Sequence, residues 1–128
     1  MAKTKTSEER VRMLNGAIAY LRYKGYHEIK APLKAFPDPQ AVFQKASDAG
    51  FVPDIIAEKD FGTYVFEIVE PGMMDNLEER FPMWEVFEEY AKRKGGKFYL
   101  FAYVSDAEAL SEKLEGLELQ AGVIKISN

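Results

Sequence analysis

The stretch Val52-Pro53-Asp54-Ile55-Ile56-Ala57-Glu58-Lys59-Asp60-Phe61-Gly62-Thr63-Tyr64-Val65-Phe66-Glu67-Ile68-Val69-Glu70 decides the fold of this chain. It reads as two apolar strands, 52–59 and 63–70, joined by a tight turn at Asp60-Phe61-Gly62. Both strands are apolar at odd and even positions alike. That pattern predicts burial on two faces, as in the middle of a sheet covered by helices. One acid lies inside each strand, Asp54 and Glu67. An ionised carboxylate in such a setting needs an opposite charge, a metal ion or a proton.

Outward from this hairpin, strands and capped helices alternate. Thr6-Ser7-Glu8-Glu9 reads as a capping box with Thr6 at the N-cap, and Val11, Leu14, Ile18 and Leu21 follow at helical spacing up to Gly25. A strand over 26–33 comes next. Asp38-Pro39 reads as the start of a short helix over 39–49, with Val42, Phe43 and Ala46 as its apolar face. Beyond the hairpin, Pro71-Gly72 stops the second strand. Asp75-Asn76-Leu77-Glu78 opens an amphipathic helix carrying Leu77, Phe81, Trp84, Phe87 and Tyr90, with a kink or restart expected at Pro82. Phe98-Tyr99-Leu100-Phe101-Ala102-Tyr103-Val104 is the clearest strand of all. Ser105-Asp106-Ala107-Glu108 caps a helix ending at Gly116, and a strand over 119–126 follows. The expected fold is α/β, a mixed central sheet of about five strands flanked by helices, in a single domain over 1–128.

Composition narrows the chemistry. Of 128 residues, 47% are hydrophobic and 30% charged, as in ordinary globular proteins. No apolar run approaches the ~18 residues that a membrane span needs. The N-terminal residues lack the apolar core of a secretory signal, so the cytoplasm is the expected location. Cysteine is absent and His27 is the single histidine, which excludes disulfides, thiolate sites and histidine-rich metal centres. Any metal would be held by carboxylates, which suits Mg²⁺ or Mn²⁺. The net charge of −4 weighs against unaided binding of nucleic acid, although a local basic patch can outweigh it.

Pro53-Asp54 opening one strand and Glu67 within the next resemble the motif of the PD-(D/E)xK nuclease superfamily, which has the restriction-endonuclease-like fold. With the short helix at 39–49 set aside, the element order also resembles that superfamily's αβββαβ core, over nearly the whole chain. The resemblance implies that Asp54 and Glu67 are metal ligands for Mg²⁺ or Mn²⁺. In the family, that metal activates water for attack on phosphorus while the motif lysine stabilises developing charge. Here Val69 stands where that lysine belongs. Members that take the lysine from a neighbouring element leave Lys59 as a catalytic candidate, although alternation points it away from Asp54, and Lys30 as another. Glu8 or Glu9 would match the glutamate some members recruit from the first helix.

Each residue also has a plainer reading. Asp54 caps a turn, and Glu67 pairs with a lysine or arginine from a flanking helix. Glu8 and Glu9 suit a first helical turn, and Ser7 and Ser105 suit N-caps. The run Lys92-Arg93-Lys94-Gly95-Gly96-Lys97 suits a helix C-terminus and could also meet phosphate. Two functions follow. One is a catalytically degenerate nuclease relative serving as a binding or assembly module for a nucleic-acid or protein partner. The other is a Mg²⁺- or Mn²⁺-dependent nuclease with a relocated lysine, gaining surface by forming a homodimer or by fusion.

Overall fold

The computed structural model describes residues 7–44, 47–48 and 50–127. Five strands form one mixed sheet in the order β1-β4-β5-β6-β7, namely β1 (His27–Lys30), β4 (Ile55–Lys59), β5 (Gly62–Ile68), β6 (Phe98–Tyr103) and β7 (Ala121–Ile126). The β1–β4 and β4–β5 pairs are antiparallel, while β5–β6 and β6–β7 are parallel. Parallel neighbours require crossovers, and helices supply them: a 3₁₀ stretch (Pro71–Arg80) with α2 (Phe81–Arg93), then α3 (Val104–Glu115). The α/β sheet expected from the sequence is present.

Double-sided apolarity divides the core in two. Ile56, Val65, Val69, Phe98, Leu100 and Ala102 face α2 and α3, packing on Trp84, Phe87, Ala91 and Leu110. Ile55, Ala57, Phe66, Ile68, Phe101 and Tyr103 face α1 (Glu8–Tyr23), which buries Met13, Leu14, Ala17, Ile18 and Leu21 against them. Among the described residues no helix is long and apolar enough to cross a membrane.

Local chemistry sets the ends of α1. Ser7 is its N-cap, its hydroxyl accepting the Arg10 N–H at 3.1 Å; Thr6, the expected cap, lies outside the described residues. At the other end Gly25 takes φ +89°, and its N–H donates to Arg22 while that of Tyr26 donates to Leu21. This double bond pattern closes the helix at the glycine. The hairpin turns through Asp60 and Phe61, at φ +50° and +69°, the two-residue geometry that matches strand twist. The expected restart near Pro82 occurs at Phe81, where the 3₁₀ stretch gives way to α2.

Three expectations need correction. Asp75-Asn76-Leu77-Glu78 does not open the helix: a 3₁₀ stretch already runs from Pro71 with Glu70 at its N-cap, and Asn76 interrupts it at φ −141°. The helix over 39–49 is replaced, in its described part, by a ribbon of β2 (Val42–Phe43) and β3 (Gly50–Phe51); Ala46 lies outside the described residues. Tertiary context outweighs the helical pattern here. Val42 drops into the α2-side core, the Phe43 ring lies over Gly50, and Arg93 donates to the Phe43 carbonyl at 3.0 Å. Ser105 is not a cap either. α3 starts one residue earlier, at Val104, with no side-chain cap bond from Tyr103.

Candidate functional site

The two motif acids meet at the end of the hairpin opposite its turn. β4 and β5 pair from Lys59 with Gly62 up to Ile55 with Phe66, so Asp54 stands beside Glu67. They are the buried charged residues among those described, at 8% and 5% exposure. Asp54 Oδ2 accepts the Ile68 N–H at 2.8 Å, and Glu67 Oε2 accepts the Asp54 N–H at 2.7 Å. Each carboxylate thus holds the other's strand.

An arginine takes up the remaining side of Asp54. Arg10, one turn into α1, forms an ion pair with Asp54 Oδ1 and lies 3.5 Å from Glu70 Oε2. Ser7 Oγ donates to Glu70 Oε1 at 3.0 Å. The first turn of α1 is therefore clamped to both ends of the acidic stretch. The sequence pattern assigns an arginine or lysine to Glu67; the direct ion pair belongs to Asp54. Arg10 carries a usable signal, since it extends the stripe of Leu14, Ala17 and Leu21 by one helical turn.

Glu67 is surrounded by donors. Burial pushes its carboxyl up to about 8, while the cations of Arg10 and Arg80 and the indole N–H of Trp84 pull the other way. Trp84 Nε1 is one of the groups that lower the Glu67 pKa. It and Arg80 Nε are both buried without a hydrogen-bond partner among the described residues. Two buried donors beside a carboxylate suit a structural acid. They do not suit a divalent cation, which needs oxygen ligands in their place.

The other candidates lie elsewhere. Val69 is fully buried in the α2-side core, on the same face as Glu67, and its N–H donates to Phe101 at 2.8 Å. Lys59 sits at the turn end of β4, about 16 Å along the strand from Asp54, with its ammonium 5.0 Å above the Tyr26 ring. Lys30 pairs in register with Ile56 and lines a hollow with Gln40, Glu58 and Tyr90. Among the described residues no lysine forms an ion pair with either acid. Glu8 is exposed, and Glu9 serves Arg12 at 3.0 Å and the Tyr103 hydroxyl at 2.8 Å. His27 is exposed on β1. In the basic run, Arg93 pairs with Glu89 at 3.4 Å, and Lys94 and Lys97 stand over Tyr90 and Tyr99.

Among the described residues no group of three or more acidic or histidine side chains is arranged to hold a metal ion. No family model, curated protein or solved structure matches the chain.

Proposed function

We propose that this chain is a catalytically silent relative of the PD-(D/E)xK nucleases, restriction-endonuclease-like in fold, acting as a binding or assembly module. The observation that carries this reading is the Arg10–Asp54 ion pair. A guanidinium occupies the carboxylate that would otherwise hold Mg²⁺ or Mn²⁺, and two like charges do not share one ligand oxygen at close range. Val69 supports the same reading, because an aliphatic side chain there leaves the departing charge unbalanced. Loss of one such electrostatic group costs on the order of 10²–10³-fold in rate. The sheet order, with Pro53-Asp54 leading into β4 and Glu67 on β5, favours the family resemblance.

The competing reading is a Mg²⁺- or Mn²⁺-dependent nuclease using Asp54 and Glu67. It gains weight from the closeness of the two acids, and it requires Arg10 to withdraw and a lysine to arrive. A cleavage assay with either metal separates the two, run on wild type, Glu67→Ala and Val69→Lys. No cutting by wild type is expected. Robust cutting that vanishes in Glu67→Ala overturns the silent reading.

A further inference from the structure

The two faces of the sheet are covered unequally. α2 and α3 pack on one side, and α1 is the only described helix on the other. α1 buries the middle of its face, Ile55, Phe66 and Phe101, and leaves Tyr64, Tyr99, Gly122 and Ile124 half-buried toward the hairpin turn and β7. The Tyr64 and Tyr99 rings lie nearly parallel, 6.4 Å apart at 19°, and Tyr99 also stacks on Phe66 at 14°. Gly122 permits this. A Cβ there would come 2.6 Å from the Tyr99 ring and lift it off the sheet.

One lysine stands over these rings and two over neighbouring ones, of which Tyr26 meets Tyr64 edge-on at 5.3 Å. Lys97 is 5.4 Å above Tyr99, Lys59 is 5.0 Å above Tyr26, and Lys24 is 5.7 Å above Tyr20. Asp60 lies near Tyr26. A chain of net charge −4 thus gathers three ammonium groups around flat aromatic rings on an incompletely covered sheet. Such rings stack on any base, and the ammonium groups follow a phosphate backbone.

We propose that this tyrosine–lysine face, remote from the two acids, binds single-stranded nucleic acid, with bases on Tyr99 and Tyr64 and phosphates on Lys24, Lys59 and Lys97. The proposal deepens the binding-module reading and rests on it. A duplex fits less well, because its bases already stack on each other and offer no free face.

The test is fluorescence anisotropy with a fluorescein-labelled oligothymidylate of about 20 nucleotides, across a salt series. Three phosphate contacts predict a slope of log K on log salt of about −2, and Lys59→Ala or Lys97→Ala should each reduce its magnitude by about 0.7. Tyr99→Leu should cost about 5- to 150-fold in affinity with the slope unchanged. Lys113→Ala, on α3, should change nothing. The lysine variants lie on the surface, so they test the proposal even if Tyr99→Leu loosens the fold. The proposal is overturned by absence of binding at low salt, by equal or tighter binding of duplex, or by loss in Lys113→Ala matching that in Lys97→Ala. Binding that heparin displaces and Tyr99→Leu leaves intact also overturns it, as a polyanion patch without base stacking. A chain that cuts the oligonucleotide overturns the silent reading instead, whereas one that neither cuts nor binds overturns only this surface.

Discussion

Asp54 and Glu67 grip each other's strands. The Glu67 carboxylate accepts the Asp54 N–H at 2.7 Å, and the Asp54 carboxylate accepts the N–H of Ile68, the residue after Glu67, at 2.8 Å. With Arg10 on Asp54, the motif acids behave as a fastening between α1 and the hairpin.

Arg10→Ala should therefore destabilise the protein. Removing one partner of a fully buried pair costs about 3–5 kcal/mol. Arg10 is a quarter exposed, at 26%, so solvent relieves part of that and about 2 kcal/mol is expected. Urea unfolding measures it, and Arg10→Ala with Asp54→Asn should recover part of the loss. A double variant no better than the single one would mean that the pair contributes little.

Glu67 sets a pH dependence of defined sign. Its carboxyl is pushed up from 4.5 to about 8, so the unfolded chain loses this proton first as pH rises. Stability from this group is full below about pH 4.5 and falls toward pH 8. The slope is roughly 1.4 kcal/mol per step of one in pH across that window, before relaxation and water entry reduce it. Glu67→Gln keeps an acceptor for the Asp54 N–H and removes the titration. It should match wild type near pH 5 and exceed it by a few kcal/mol near pH 8. Parallel stability curves for the two proteins across that range would refute the assignment.

Two glycines should respond oppositely to alanine. A Cβ on Gly96 would run into the Thr63 carbonyl, where the C-terminus of α2 meets β5. Gly96→Ala should cost about 2 kcal/mol or more, since backbone must move. Gly116, at φ −78° with open space around it, should gain about 0.4–1 kcal/mol as alanine through a less flexible unfolded chain. Thermal melts of both variants decide this, and a neutral Gly96→Ala would show that the contact yields freely.

Phe61 occupies a left-handed position, φ +69°, with its ring fully exposed. Its fold contribution is negative, because a side chain there crowds the backbone with nothing buried in return. Phe61→Gly should raise stability by about 0.5–1 kcal/mol and leave the hairpin in place, as Asp-Gly is a favoured pair for this turn. A fall in melting temperature would reveal an intramolecular role for the ring.

The strands are legible in the sequence because burial on two faces leaves little freedom. Ile55-Ile56-Ala57 and Phe98 through Tyr103 offer no polar side to turn outward. Gly25 and Pro82 mark their helix boundaries through backbone constraints that act locally. The β2–β3 ribbon is hidden because two-residue strands carry no period, and Val42 is placed by the distant α2 core. The meeting of Asp54 with Glu67 follows from the hairpin register alone. Their surroundings do not, since Arg10, Arg80 and Trp84 arrive from helices whose approach no local pattern encodes.

The clamp also orders events in time. Ser7 reaches Glu70 across 63 residues, so α1 leaves the ribosome well before the far end of its clamp. At about 5–20 residues per second, that interval is roughly 3–13 s. Until the strands that follow have joined, Met13, Leu14, Ala17, Ile18 and Leu21 have no complete sheet to lie on, and their apolar stripe is open to the folding machinery of the cell. The segment made before its partners is the one that must be kept waiting.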